Sequence, residues 1–147
     1  MAKVSCMAIQ IKRAYEPPVA SDGTRVLIDR LWPRGLTKQA ARIDRWLREL
    51  APSNELRKWY HQRPEFFAAF RKRYFKELAA LAASAHLEEL YKMARKRGAL
   101  TLIYSAKNEQ QNNAVVLKEL LEGMRKPPSS SGPAHAAAAR VRAQRPR

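Results

Sequence analysis

Residues 7–13, "MAIQIKR", alternate apolar and polar side chains, the period of a half-buried strand. "EPPVASDGT" follows as a loop, broken by Pro-Pro and Asp-Gly. "RVLID", residues 25–29, is a short continuous apolar run that reads as a buried strand. Thr37 is placed to cap a helix running to Leu50, with Ile43, Trp46, Leu47 and Leu50 on one face. Ser53 caps a second helix carrying Leu56, Trp59 and Tyr60, and Pro64 stands where a third should begin. Phe67, Phe70, Tyr74, Leu78 and Leu81 then recur at helical spacing, and the set Phe66, Phe67, Phe70, Tyr74 and Phe75 reads as core. A fourth helix carries Leu87, Leu90, Tyr91 and Ala94, with Gly98 as its C-terminal cap. "ALTLIYS" is a second buried strand, and a last helix puts Ala114, Val115, Leu117, Leu120 and Leu121 inward before Gly123.

The two continuous apolar runs, 25–29 and 100–104, look covered on both faces. Strands of that kind pair in parallel under helices. The expected fold is therefore α/β: a small, mainly parallel sheet of about three or more strands covered by five or so helices. Residues 1–124 form the single domain, with 1–6 as an N-terminal extension. Residues 125–147 run into "KPPSSSGPAHAAAARVRAQRPR", which offers little besides Val141 for a core contact and is expected to be disordered in isolation.

Charge adds the next constraint. The 147 residues carry a net charge of +16. The 13 acidic residues all lie before residue 124, whereas the last 23 residues hold six basic residues and no acid. Such a balance favours anionic partners: a phosphate- or sulfate-bearing small molecule, or nucleic acid reached through surface charge and the tail. No apolar run is long enough to span a membrane, and no secretory signal opens the chain, so a cytoplasmic protein is expected. Cys6 is the single cysteine and the three histidines are scattered, so no metal site or disulfide is expected. No Gly-rich phosphate loop or nucleophile elbow is present, and no cofactor is expected.

Ligands of open α/β sheets bind beyond the carboxyl ends of the strands. Two such ends carry polar residues here. The first offers Asp29, Arg30, Trp32, Arg34 and Gly35; the second offers Tyr104, Ser105, Lys107, Asn108, Asn112 and Asn113. Were the strands parallel neighbours, these groups would share one crevice. Arg30, Arg34 and Lys107 would hold an anion, helped by Asn112, Asn113, Trp32 and Tyr104 on its walls and by the N-terminus of the last helix. Asp29 and Ser105 are candidates to orient a reacting group, and His61 is a candidate general base. Each has a plainer role open to it: a salt bridge for Asp29 with Arg13 or Arg30, a helix cap for Ser105 or Asn108, packing for Trp32, and capping or packing for His61.

"IKRAYEPP", "DGTRVLIDRLWPRGLTK", "WLRELAPSNELRKWY" and "LTLIYSAKNEQQNNAVVL" resemble, in order, the signature blocks of the YeaO-like branch of domain-of-unknown-function family 488. The resemblance implies a compact α/β domain. It also implies that Asp29 and Arg30 answer to a strand ending in Asp-Val-Arg in longer relatives. Asn112 and Asn113 fall near the position of a Cys-His-Arg segment, so the thiol and imidazole of those relatives are missing. His61 precedes Gln62, Arg63 and Pro64, where the family reads His-Asp-Pro, so a His–Asp pair is missing too. Three functions follow as expectations: an anion-binding crevice with or without catalysis, a basic nucleic-acid-binding protein, or a non-catalytic interaction module, including a homodimer.

Overall fold

The computed structural model describes residues 8–124 apart from Arg97, and the side chain of Leu81 is also left aside. The expected extension 1–6 and tail 125–147 lie outside the described residues.

Four parallel strands form one sheet in the order β1-β4-β2-β3. They are β1 (Ile9–Arg13), β2 (Thr24–Leu27), β3 (Arg45–Trp46) and β4 (Leu100–Tyr104). The two apolar runs are neighbours in register, Val26 beside Leu102 and Leu27 beside Ile103. β1 flanks β4 on the other side, Ile9 beside Leu100. The helices are α1 (Lys38–Ala41), α2 (Asn54–Gln62), α3 (Phe67–Leu78), α4 (Leu81–Arg95) and α5 (Asn113–Gly123). The chain is thus the α/β fold its pattern predicts.

Alternation along the strands divides the core in two. Val26, Ile28, Leu100, Leu102 and Tyr104, with Ile9, face the larger cluster, which Leu56, Phe70, Tyr74, Leu78, Leu87, Leu90 and Leu117 complete from α2 to α5. Leu27 and Ile103 face the other way, with Ala14, against Trp32, Leu36, Ile43 and Trp46. That second face is covered chiefly by the segment after β2 rather than by long helices.

That segment corrects the expected helix over 37–50. Thr37 does cap, its hydroxyl accepting from the Ala40 N–H at 3.0 Å, but α1 ends after one turn, where Arg42 turns left-handed at φ 50°. Arg25 causes the stop. Its guanidinium, buried beneath the helix, donates to the Ala41 and Arg42 carbonyls and so takes the acceptors the next turn would need. The chain then joins the sheet as β3, with Asp44 N–H donating to Arg25 O and Leu47 N–H to Leu27 O. Three further boundaries shift. α3 begins at Phe67, not at Pro64; Leu81 opens α4 instead of extending α3; and α4 ends at Arg95, with Gly98 at φ +94° in the turn before β4 rather than capping the helix. Phe66, expected in the core, is 48% exposed.

Candidate functional site

Where β2 and β4 end side by side, the chain leaves the sheet at Asp29 and Ser105. β2 stops at Leu27, so neither Asp29 nor Arg30 belongs to the strand, and their side chains part company. The Asp29 carboxylate turns to β4 and α5: Oδ2 accepts from the Ser105 N–H at 2.9 Å, and Oδ1 accepts from Asn113 Nδ2 at 3.0 Å. Asn113 Nδ2 also donates to the Ile28 carbonyl at 3.0 Å, so one amide ties the end of β2 to the first turn of α5. Arg30 turns the other way and donates to the carbonyls of Pro52 and Ala51. No salt bridge joins Asp29 to Arg13 or Arg30 among the described residues.

Burial raises the Asp29 carboxyl above its ordinary value, while the bonds from Asn113 and Ser105 and the nearby Arg57 charge pull the other way. The Ser105 hydroxyl lies beside the same carboxylate, yet its buried Oγ makes no well-aligned hydrogen bond. Tyr74, fully buried beneath the cluster, donates to Leu50 O at 2.5 Å. Its phenol is held well above its ordinary value, first by burial and then by the Asp29 and Glu77 charges.

Asn112 is buried and acts as the cap of α5: its Oδ1 accepts from the Val115 N–H, and its Nδ2 donates to Asn108 O. Asn108 in turn accepts from Gln110 and Gln111 N–H, folding the loop tightly before the helix. Tyr104 is buried at the end of β4. Trp32 is half-buried, donates to Leu36 O and meets Trp46 edge-on at 5.4 Å; Trp46 donates to the Asp29 carbonyl. Gly35 allows the turn at φ +83°.

Arg34 and Lys107 are exposed and form no ion pair among the described residues. Arg13 and Tyr15 link the loops that carry them. Arg13 donates to Ser105 O and Ala106 O and lies 5.2 Å from the Tyr15 ring, and Tyr15 Oη donates to Arg34 O. His61 is exposed at the end of α2, and no hydrogen bond or ion pair joins it to Asp29 among the described residues. No group of three or more His, Cys, Asp or Glu suited to a metal ion occurs among them either.

Asp29, Ser105 and Asn113 therefore converge on one network, while Asn112 caps α5 beside it, Arg30 is engaged on the Pro52 and Ala51 carbonyls and His61 stands apart. Arg25, Asp22 and Thr101 form a second buried polar cluster on the other face, which no motif announced. Arg25 Nη1 meets Asp22 Oδ2 at 2.7 Å, Lys12 meets Asp22 Oδ1 at 3.0 Å, and Thr101 donates to Asp22 O at 2.6 Å.

A family model described as the inactive DUF488-N3 subclade matches residues 8–137. The chain belongs to that subclade. This DUF488-N3 domain is 46% identical over 120 residues to the uncharacterized protein YeaO of Escherichia coli K12, covering 80% of this chain and all of the relative. It is 40% identical over 115 residues to the uncharacterized protein Rv3073c of Mycobacterium tuberculosis H37Rv and to Mb3100c of Mycobacterium bovis, covering 78% of this chain and 94% of each relative. No solved structure matches the DUF488-N3 domain. No helix among its described residues is long and apolar enough to cross a membrane.

Proposed function

We propose that this DUF488-N3 domain is a non-catalytic interaction module, with its strand-end cluster serving as an internal brace. One observation carries the reading. The Asp29 carboxylate takes the Ser105 N–H and the Asn113 amide, donors that an incoming anion or a developing oxyanion would otherwise use. Arg30 and Arg13 point the same way, since both guanidinia are engaged on main-chain carbonyls. The description of the matching subclade as inactive supports it as well. The test is a panel of phosphate and sulfate esters, scored for turnover and for the thermal stability of the full chain. No turnover and no shift in melting temperature are expected. Turnover that vanishes in Asp29→Asn would overturn the reading.

A second reading keeps the anion but moves it outward, to the rim formed by Arg34 and Lys107. The Arg13–Tyr15 link between their loops favours it, because it holds two uncompensated cations at the same end of the sheet. Inorganic phosphate would then raise the melting temperature, and Arg34→Ala would abolish the rise. A rise that survives Arg34→Ala together with Lys107→Ala excludes this rim.

A further inference from the structure

We infer that the corner between α2 and α3 binds single-stranded nucleic acid, stacking a base on Phe66 and holding phosphates with the cations around it. Phe66 is 48% exposed although a large apolar cluster lies a few residues away. It is not adrift: its N–H donates to Arg63 O, its carbonyl accepts from Phe70 N–H, and its ring stacks on Trp59 at 6.2 Å and 24°. The Trp59 ring also carries guanidinium groups, Arg73 at 4.2 Å and Arg63 at 5.7 Å from its centroid. Packing thus fixes the plane of an aromatic ring that keeps half its surface in water, and sets cations beside it.

Like charges crowd this corner. Lys72, Arg73 and Lys76 are exposed on α3, and both Lys72–Lys76 and Arg73–Lys76 are like-charged neighbours at helical spacing, which weakens a helix. None of Lys58, Arg63, Lys72, Arg73 and Lys76 forms an ion pair among the described residues. The nearby carboxylates leave this excess standing. Glu77 is held by the Ser53 N–H and hydroxyl, and Glu55 and Glu65 are the exposed acids of the corner. Arg71 lies outside the set because it pairs with Glu119 on α5.

A single strand combines phosphates with flat rings, and this surface combines an exposed flat ring with cations near it. An acidic peptide would satisfy the cations and leave Phe66 without a partner. A duplex keeps its base faces stacked inside and would meet the cations alone. Base stacking on an aromatic side chain is tolerant of sequence, so no base preference is expected from this surface.

The test uses the full chain and a fluorescein-labelled oligothymidylate, read by anisotropy. Binding should weaken steeply with salt. Phe66→Ala should weaken it about tenfold, the change expected for one lost base stack. Phe66→Leu keeps the apolar volume, carries the test should the alanine variant fold poorly, and should weaken binding comparably. Arg73→Gln with Lys76→Gln should flatten the log–log salt slope by about 1 to 1.5, the change for two single-strand phosphate contacts. Affinity unchanged in both Phe66 variants would overturn the inference and place binding in diffuse charge or the C-terminal tail. A labelled duplex bound as tightly as the single strand would overturn it too. So would phosphatidylserine vesicles bound more tightly than the oligonucleotide in a Phe66-dependent way. None of these outcomes touches the strand-end network, so the absence of catalysis stands or falls separately.

Discussion

Asn113→Ala tests whether the strand-end network is a brace. The amide nitrogen makes two bonds, to the buried Ile28 carbonyl and to Asp29 Oδ1, each at 3.0 Å. Losing the first costs about 1 kcal/mol net, and losing a bond to an ionised carboxylate costs about 1.5–3 kcal/mol. The Ser105 N–H still serves Asp29, so the carboxylate is not stripped bare. An overall loss of about 2–4 kcal/mol near neutral pH is expected, read by urea denaturation with an unchanged m-value. The pH dependence separates this from a simple packing defect. Burial raises the Asp29 carboxyl, so between the ordinary value and the raised one the folded state holds a proton that the unfolded chain has released. That site therefore adds stability as pH falls through its raised value towards the ordinary 3.8, and adds no more below it. Asn113 is one of the groups that pulls this carboxyl down, so its removal raises the carboxyl further and steepens the gain. The deficit of the variant must then narrow as the solution is acidified. A loss below about 1 kcal/mol, or a deficit that stays constant or widens with acid, would refute the reasoning.

Gly23→Ala should be far more damaging than Gly35→Ala, although both glycines have positive φ, +66° and +83°. A Cβ on Gly23 would lie 2.1 Å from the Ala99 carbonyl oxygen and push apart the start of β2 and β4, whereas one on Gly35 meets nothing within 4 Å. Losses of more than about 3 kcal/mol and of about 1–2 kcal/mol respectively are expected by denaturation, and equal losses would refute the distinction. Arg25→Met should cost about 2–4 kcal/mol, because it takes one of two cations from the buried Asp22 carboxylate, leaving Lys12 and the Val19 N–H, and frees the acceptors that end α1. Burial works to raise Asp22, but the Val19 N–H, Lys12 and Arg25 outweigh it and hold the carboxyl below its ordinary value. Its contribution is therefore present above the ordinary carboxylate value and lost as pH falls through the lowered one, opposite in sense to Asp29. An acid limb of the stability curve that Arg25→Met leaves unchanged would contradict this.

The parallel pairing of residues 24–27 with 100–103 was legible because Val26, Leu27 and Ile28 and Leu100, Leu102 and Ile103 place apolar side chains on both faces of each strand, which requires cover on both sides. The caps at Thr37 and Ser53 were equally legible, since Ser and Thr satisfy first-turn N–H groups through local geometry, whereas the cap of α5 falls to Asn112 rather than to Ser105 or Asn108. The helix over 37–50 misled for a tertiary reason. Ile43, Trp46, Leu47 and Leu50 have helical spacing, but Arg25, twelve residues upstream of Thr37, removes the carbonyls that the helix would need. Phe66 misled in a similar way. It shares spacing with core aromatics, yet its place between two helices points it to solvent, and no periodicity reports on a residue in a turn. Asp29, Ser105 and Asn113 meet where β2 and β4 end, but their mutual bonds depend on side-chain direction just beyond the strand, where alternation no longer applies.

The two buried carboxylates show how differently one fold can use the same group. Asp22 sits against two cations and a backbone N–H, and its charge is matched where it lies. Asp29 has neutral donors at hydrogen-bond distance and cations farther off, so burial outweighs them and its carboxyl lies above its ordinary value. A group left in that state is what an acid–base catalyst needs, but catalysis also needs a partner placed to share the proton. His61 stands apart at the exposed end of α2, and the Ser105 hydroxyl lacks an aligned bond to the carboxylate. What Asp29 does hold is structural: the first residue after β4 and the first residue of α5. The raised carboxyl is thus better explained as the cost of a buried brace than as preparation for chemistry, and the surfaces that meet other molecules are to be sought among the cations that the network leaves free.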